Sequence, residues 1–298
     1  MFPANIEKYC RPNTLEEALA AGAGYASGDA MFIAGGQSLM QAMKSRMARP
    51  LCLIDLQAVT ELQGITTHAT GLTIGAMTRY VTIAGDPRLT GYFAALRDAA
   101  AHVGDRQVRN RGTIGGSCCW NYVASCLPAV VMGLGGTLEL RSASGTTRTL
   151  AAEDFLIAPL ETARAEDEIL RCVHFSPPAG RGGSAYKKWG LIKDALPVVG
   201  VCVAVTLDDQ GRCATARITL AGLSAGAQRA PQGEQALLGS RGEAAAIDAA
   251  FNAIAATVDA QADKWADTAY RQNLIRTLGG EVAASAFARA AATTESTR

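Results

Sequence analysis

The chain has 298 residues, 49% of them hydrophobic and 18% charged, with a formal net charge of +1. A chain of this make-up can bury a sizeable core, in one large domain or two of medium size. Balanced charge and the lack of a basic cluster interleaved with aromatics argue against nucleic acid or an acidic membrane as partner.

The opening MFPANIEKYC shows no basic stretch followed by an apolar one, so no export signal is read there. The longest apolar run, LPVVGVCVAVTL at 196–207, is too short to span a bilayer and reads as a buried strand. A cytoplasmic location is expected. The eight cysteines fall mostly in apolar stretches without a Cys-x-x-Cys repeat, the pattern of buried free thiols. His68, His102 and His174 show no i, i+3 or i, i+4 pairing, so no metal site is expected.

Thr14 followed by Glu17 marks a helix start, and Ala and Leu continue at helical spacing through TLEEALAAGAGYA at 14–26. An apolar strand MFIAGG, a helix SLMQAMKSRM with Leu39, Met43 and Met47 on one face, and a strand LCLIDL make a β-α-β unit. Residues 56–80 read as short strands, with GLTIGAMTRY at 71–80 alternating at period two. A helix at about 91–103 and a glycine loop at 112–116 come next. CLPAVVMGLGG is a helix or buried segment, and TLELRSASGTTRTL a hairpin turning at Ser144-Gly145. The best linker is HFSPPAGRGGS at 174–184. Beyond it two strands join at Asp209-Gln210-Gly211, and the last third is helical. The fold class is α+β, in two unequal parts.

Gly35-Gly36, between a strand and a helix, bare the backbone as an anion site requires. Asp55 ends the next strand, where a Rossmann fold keeps its ribose-binding acid. Gly-Gly-Gln-Ser lacks that fold's third glycine, and no second mononucleotide half is in view, so Asp55 reads as a strand-end residue. VRNRGTIGGSCCW at 108–120 repeats the theme with Gly112, Gly115, Gly116 and Ser117. If both segments face one cleft, their N–H groups and hydroxyls can hold a diphosphate from two sides.

AGGQSL (34–39), VRNRGTIGGS (108–117) and CLPAVVMGLGGTLEL (126–140) resemble, in order, the FAD-binding medium subunit of molybdenum hydroxylases. This is the carbon monoxide dehydrogenase and xanthine dehydrogenase family. AYKKWGLIKDALPVVGVCVAV (185–205), ITLAGLSAGAQRA (218–230) and YRQNLIRTL (270–278) extend the resemblance over nearly the whole chain. It implies a vanillyl-alcohol-oxidase-type FAD-binding domain at 1–175, with subdomains of about 1–56 and 57–175, and a smaller C-terminal flavoprotein domain at 183–290. Carried over, Ile33, Ala34, Gly35, Gly36, Gln37, Ser38 and Leu39 form the first pyrophosphate segment. Thr113, Ile114, Gly115, Gly116 and Ser117 form the second, Ile169 and Leu170 lie near the flavin ring, and Lys187 matches a lysine beside it.

The sequence departs from the family at 120–126. Trp120, Asn121 and Tyr122 replace a His-Ala-Asp, and Cys126 replaces an Asp that can contact the cofactor in relatives. Asn121, Tyr122 or Ser125 are candidates to substitute for that carboxylate, while Trp120 and Tyr122 either stack on the cofactor or fill core. Some relatives carry a four-iron cluster in a long insertion here. This chain has only three cysteines in the segment (118, 119 and 126) and no insertion, so packed thiols are expected.

The resemblance implies a chain that hydroxylates nothing itself. A large partner with a molybdenum cofactor would oxidise an N-heterocycle, purine, aldehyde or carbon monoxide. A small partner with two [2Fe–2S] clusters would relay electrons to FAD in this chain, for delivery to an external acceptor, in a dimer of heterotrimers. No catalytic residue is needed from this chain. The alternatives are an assembly subunit that has lost FAD, and a stand-alone flavoprotein oxidase.

Overall fold

The computed structural model describes residues 5–293. Residues 1–4, on which part of the export-signal reading and the 1–175 boundary fall, lie outside the described residues. After β1 (Lys8–Cys10), the Thr14 hydroxyl caps α1 (Leu15–Gly22) by accepting from the Glu17 N–H, and the Glu17 carboxylate accepts from the Asn13 N–H at 2.8 Å. The helix stops at Gly22 rather than near 26, because Gly24 and Gly28 take positive φ and turn the chain into a loop.

β2 (Ala30–Ile33), α2 (Leu39–Lys44) and β3 (Cys52–Asp55) form the expected β-α-β unit, in a parallel sheet ordered β1-β3-β2. α2 is shorter than its apolar spacing suggests. Arg46 adopts φ 62°, so Leu39 and Met43 are buried while Met47 is 78% exposed. Asp55 ends β3, where its carboxylate accepts from the Gln57 N–H at 2.9 Å and the Tyr9 hydroxyl at 2.5 Å.

β4 (Ile65–His68) pairs with β5 (Gly71–Gly75). The period-two reading fails after Gly75, because the N–H groups of Met77 and Thr78 turn to Leu62 and Gly75 carbonyls and lead into α3 (Tyr80–Gly85). Then come α4 (Ala94–His102), α5 (Arg106–Arg111), α6 (Ile114–Trp120) and α7 (Cys126–Gly133). The glycine loop expected at 112–116 is loop only at Gly112 and Thr113. Gly115 and Gly116 lie in the first turn of α6, capped by the Thr113 hydroxyl accepting from the Gly116 N–H at 3.0 Å.

β6 (Thr137–Ser142) and β7 (Thr147–Ala151) form the expected hairpin, with Gly145 at φ 85°. α8 (Ala152–Phe155), β8 (Leu156–Ala158), β9 (Glu161–Thr162) and β10 (Glu168–Phe175) follow. The antiparallel sheet is ordered β4-β5-β10-β6-β7, and Leu72, Ile74, Leu138, Leu140, Val173 and Phe175 face the main core with α4 and α7.

The linker is shorter than the 174–184 stretch, since β10 runs to Phe175 and β11 (Arg181–Trp189) already contains Gly182 and Gly183. β11, β12 (Val199–Leu207), β13 (Cys213–Ala221) and β14 (Gln228–Arg229) form a second antiparallel sheet in that order. β12 is buried at every position. Its Cys202 and Ala204 join the main core, whereas Val201, Val203 and Val205 join a second core under α9 (Pro231–Leu237), α10 (Ala244–Thr257) and α11 (Thr268–Ala292). A strand covered on both faces loses its polar alternation, which explains the long apolar run at 196–207. Among the described residues no helix is long and apolar enough to cross a membrane.

Candidate cofactor site

Gly35 and Gly36 serve different ends. A Cβ on Gly35 would stand 2.1 Å from the Arg111 carbonyl oxygen and 2.8 Å from Gly112 Cα, so this glycine lets two backbone segments touch. Gly36 sits at φ 74°, in the left-handed region that costs other residues about 1–2 kcal/mol. A Cβ on Gly116 would meet Ala34 Cβ at 3.3 Å. The two glycine segments, far apart in sequence, are packed directly on one another.

Both open on one cavity of about 790 Å³, a volume in the usual range of ligand clefts. Ala34 to Leu39 line one side, and Gly112, Thr113, Gly115, Gly116 and Ser117 another. Among the described residues, no hydrogen-bond acceptor meets the N–H groups of Gly36, Gln37 and Ser38. The Gln37 carboxamide turns back and donates to the Gly35 carbonyl at 3.0 Å. Such a run of unpaired amides, beside serine hydroxyls, is suited to phosphate oxygens. Ile33 and Ile114 stand behind this lining: Ile33 packs with Leu39, Met43 and Leu53, and Ile114 is fully buried in the main core.

Ile169 and Leu170, 2% and 3% exposed, both reach the cavity wall from β10. Ser125 and Cys126 do so from the start of α7. Asn121 does not. It is buried at φ 43° and its carboxamide donates to the carbonyls of Ala158 at 2.8 Å and Glu161 at 3.0 Å, so it anchors the β8–β9 turn rather than replacing the family carboxylate. Tyr122 is also outside the lining, with 39% of its surface exposed. Trp120 both lines the cavity and packs against the Ile33 cluster.

The lysine at the cavity is Lys188, not Lys187. Adjacent strand residues face opposite ways, and Lys187 points out to pair with Glu281 on α11. Lys188 donates to the Ala195 carbonyl, and burial draws its ammonium below the ordinary lysine range. Burial raises the thiol pKa of Cys118 and Cys126 and pushes that of Cys119 up to about 11. Cys118 and Cys126 are buried and Cys119 is half-buried, all three as free thiols.

Several wall residues had no counterpart in the sequence reading: Tyr25 and Gly28 in the loop after α1, Met77, Tyr80, Arg164 and Leu196. The glycines at 22, 24 and 28 are a usable signal, since glycines at that density seldom continue a helix. For the others no local signal exists, because they reach the wall through tertiary packing.

Residues 4–178 match the family of the FAD binding domain in molybdopterin dehydrogenase, and residues 184–286 match the CO dehydrogenase flavoprotein C-terminal domain. The chain belongs to the FAD-binding medium subunits of the molybdenum hydroxylases. It is 32% identical to the 6-hydroxypseudooxynicotine dehydrogenase complex subunit alpha of Paenarthrobacter nicotinovorans, over 90% of each chain. It is 30% identical to the carbon monoxide dehydrogenase medium chain of Hydrogenophaga pseudoflava, over 98% of this chain and 100% of that one. A solved carbon monoxide dehydrogenase from Hydrogenophaga pseudoflava superposes with a TM-score of 0.89 at 31% identity, covering 97% of this chain and 99% of its counterpart.

The cavity fits the cofactor of these medium subunits. Unpaired amides at 36–38 and the hydroxyls of Ser38 and Ser117 suit a diphosphate, while Ile169, Leu170 and Trp120 offer apolar and aromatic surface to a flat ring system. Cys126 stands where relatives carry an Asp, and of Asn121, Tyr122 and Ser125 only Ser125 lines the cavity, with a hydroxyl rather than a carboxylate.

Proposed function

We propose that this chain is the electron-transfer subunit of a heterotrimeric molybdenum hydroxylase, receiving electrons from the [2Fe–2S] clusters of a small subunit and delivering them to an external acceptor. Residues 1–175 hold FAD and residues 183–290 buttress them, in the cytoplasm, within a dimer of heterotrimers. The large subunit carries the molybdenum cofactor and selects the substrate. Bound in the cavity, FAD supplies redox chemistry that no side chain offers. The observation that carries this reading is the convergence of two glycine segments on one cavity with unpaired amides.

The chain's own residues bind and orient. The amides of Gly36, Gln37 and Ser38 and the hydroxyls of Ser38 and Ser117 would hold the diphosphate, and Gly115 and Gly116, whose own amides are paired, keep the second segment free of side chains beside it. Ile169 and Leu170 would exclude water from the ring system, and Lys188 would place a cation at its border. No acid–base pair is required of this chain for electron transfer.

Purification of the chain with its partner subunits tests this. The expected result is a yellow protein with one FAD per chain, whose visible band bleaches when substrate is given to the whole complex and not when it is given to the isolated chain. A colourless chain that cannot be reconstituted with FAD would establish the assembly-subunit alternative. Bleaching of the isolated chain by a small substrate would establish the oxidase.

A further inference from the structure

On a strand, residues two apart share a face. Cys172 and His174 are two apart on β10. Cys172 stands directly opposite Glu139 on β6, and His174 stands opposite Thr73 on β5. These side chains occupy the sheet face opposite to Ile74, Leu138 and Val173, which are fully buried in the main core.

We propose that Cys172, His174 and Glu139 form a binding site for zinc on this outer sheet face. His174 Nε2 lies 3.2 Å from Glu139 Oε2 and 3.3 Å from Cys172 Sγ, and the three ligand atoms all lie within 4.8 Å of one another. Zinc bonds of about 2.0–2.3 Å at tetrahedral angles separate ligand atoms by about 3.3–3.6 Å, so both spacings from His174 already suit a shared ion. A nitrogen, a sulfur and a carboxylate oxygen are the donor set this ion favours.

The outer partners support the same assignment. Thr73 Oγ1 is 2.9 Å from His174 Nδ1, so an Nδ1–H donating to it leaves the Nε2 lone pair aimed at the other two ligands. Arg171 donates to Glu139 Oε1 at 2.5 Å, which leaves Oε2 for the metal. A thiolate and a carboxylate balance the charge of a divalent ion. Cys172 and Thr73 also form part of the wall of a separate cavity of about 170 Å³, which gives a fourth position access to water. None of the three ligands lines the cofactor cavity, so this site stands or falls independently of the flavin reading. Zinc here would clamp β6 to β10.

Equilibrium dialysis of the full chain against zinc, after removal of metal by a chelator, tests the assignment. One zinc per chain is expected, held at micromolar free metal. Thr73→Val should weaken binding by roughly the 10–100-fold that loss of an outer partner costs, and Cys172→Ser and His174→Ala by more. Cobalt in place of zinc should give tetrahedral bands at wavelengths beyond flavin absorption, absent from Cys172→Ser. Circular dichroism checks that each variant is folded, and half-exposed His174 carries the test if the buried cysteine does not tolerate change. Failure of the parent chain to hold zinc, or equal binding by the folded His174→Ala chain, overturns the proposal.

Discussion

At the scale of single residues, the cofactor segment depends on two glycines for different physical reasons, and the difference is measurable. Gly35→Ala drives a Cβ into the Arg111 carbonyl, a backbone group that cannot rotate away. The two segments must part, at the roughly 1–3 kcal/mol typical of overpacking, and flavin content should fall. Gly36→Ala meets only side-chain atoms, Met40 at 3.3 Å and Ile33 at 3.4 Å, so its main cost is the left-handed backbone, about 1–2 kcal/mol. Asn tolerates that conformation better, so Gly36→Asn should be the more stable of the two. Urea unfolding of the three variants should rank Gly35→Ala as the least stable, and equal midpoints for all three would refute the contact argument. The sequence announced that both glycines matter. It did not announce that the neighbour excluded by Gly35 is the other glycine segment, because that contact is tertiary. Asn121 and Lys187 mark the same boundary: a motif match locates a residue along the chain, while a left-handed turn or a strand's alternation decides which way its side chain points.

At the scale of elements, β10 is tied down at its start by Glu168, which accepts from Arg148 on β7 at 2.6 and 2.7 Å and from the Ala165 N–H at 2.7 Å. The Arg148 hydrogen bonds hold its carboxyl below the usual glutamate range. A folded pKa below the unfolded value means stability that is present above the unfolded pKa of about 4.3 and lost as pH falls through the folded one. Because Arg148 is half in solvent, the contribution is modest, about 1 kcal/mol at most. Glu168→Gln should therefore lower the midpoint of urea unfolding at pH 7 and narrow its gap to the parent at pH 3. A gap that widens in acid would contradict this sign. Elements were more legible than their ends. The β-α-β unit, the β6–β7 hairpin and the β12–β13 pair follow from periodicity and turn residues. The ends of α1, α2 and β5 depend on positive-φ residues and on amides that find partners in other segments.

At the scale of the whole molecule, two family domains meet across a shared core rather than a linker alone. Tyr186, Cys202 and Ala204 of the second sheet are buried in the main core with α4 and α7. Polar ties cross as well: Thr219 donates to the Ala129 carbonyl at 2.6 Å, Arg289 on α11 donates to Asp98 on α4 at 2.5 Å, and the Ser184 hydroxyl donates to the Tyr92 carbonyl at 2.6 Å. Gly133 permits a close approach, since a Cβ there would stand 2.8 Å from the Thr219 hydroxyl and 3.0 Å from the Cys202 sulfur. An interface built this way leaves neither part a complete core, so unfolding should be one cooperative event. Trp120 reports on the cofactor cavity, while Trp189 and Trp265 report on the C-terminal part. Fluorescence of chains retaining only Trp120 or only Trp265 should give the same urea midpoint as circular dichroism. The segment 1–178 made alone should expose the faces of α4 and α7 that the second sheet covers, bind a hydrophobic dye, and lose the sharp transition. Co-production with 179–298 should restore that transition, and a cooperative, dye-free 1–178 would show that the shared core is dispensable.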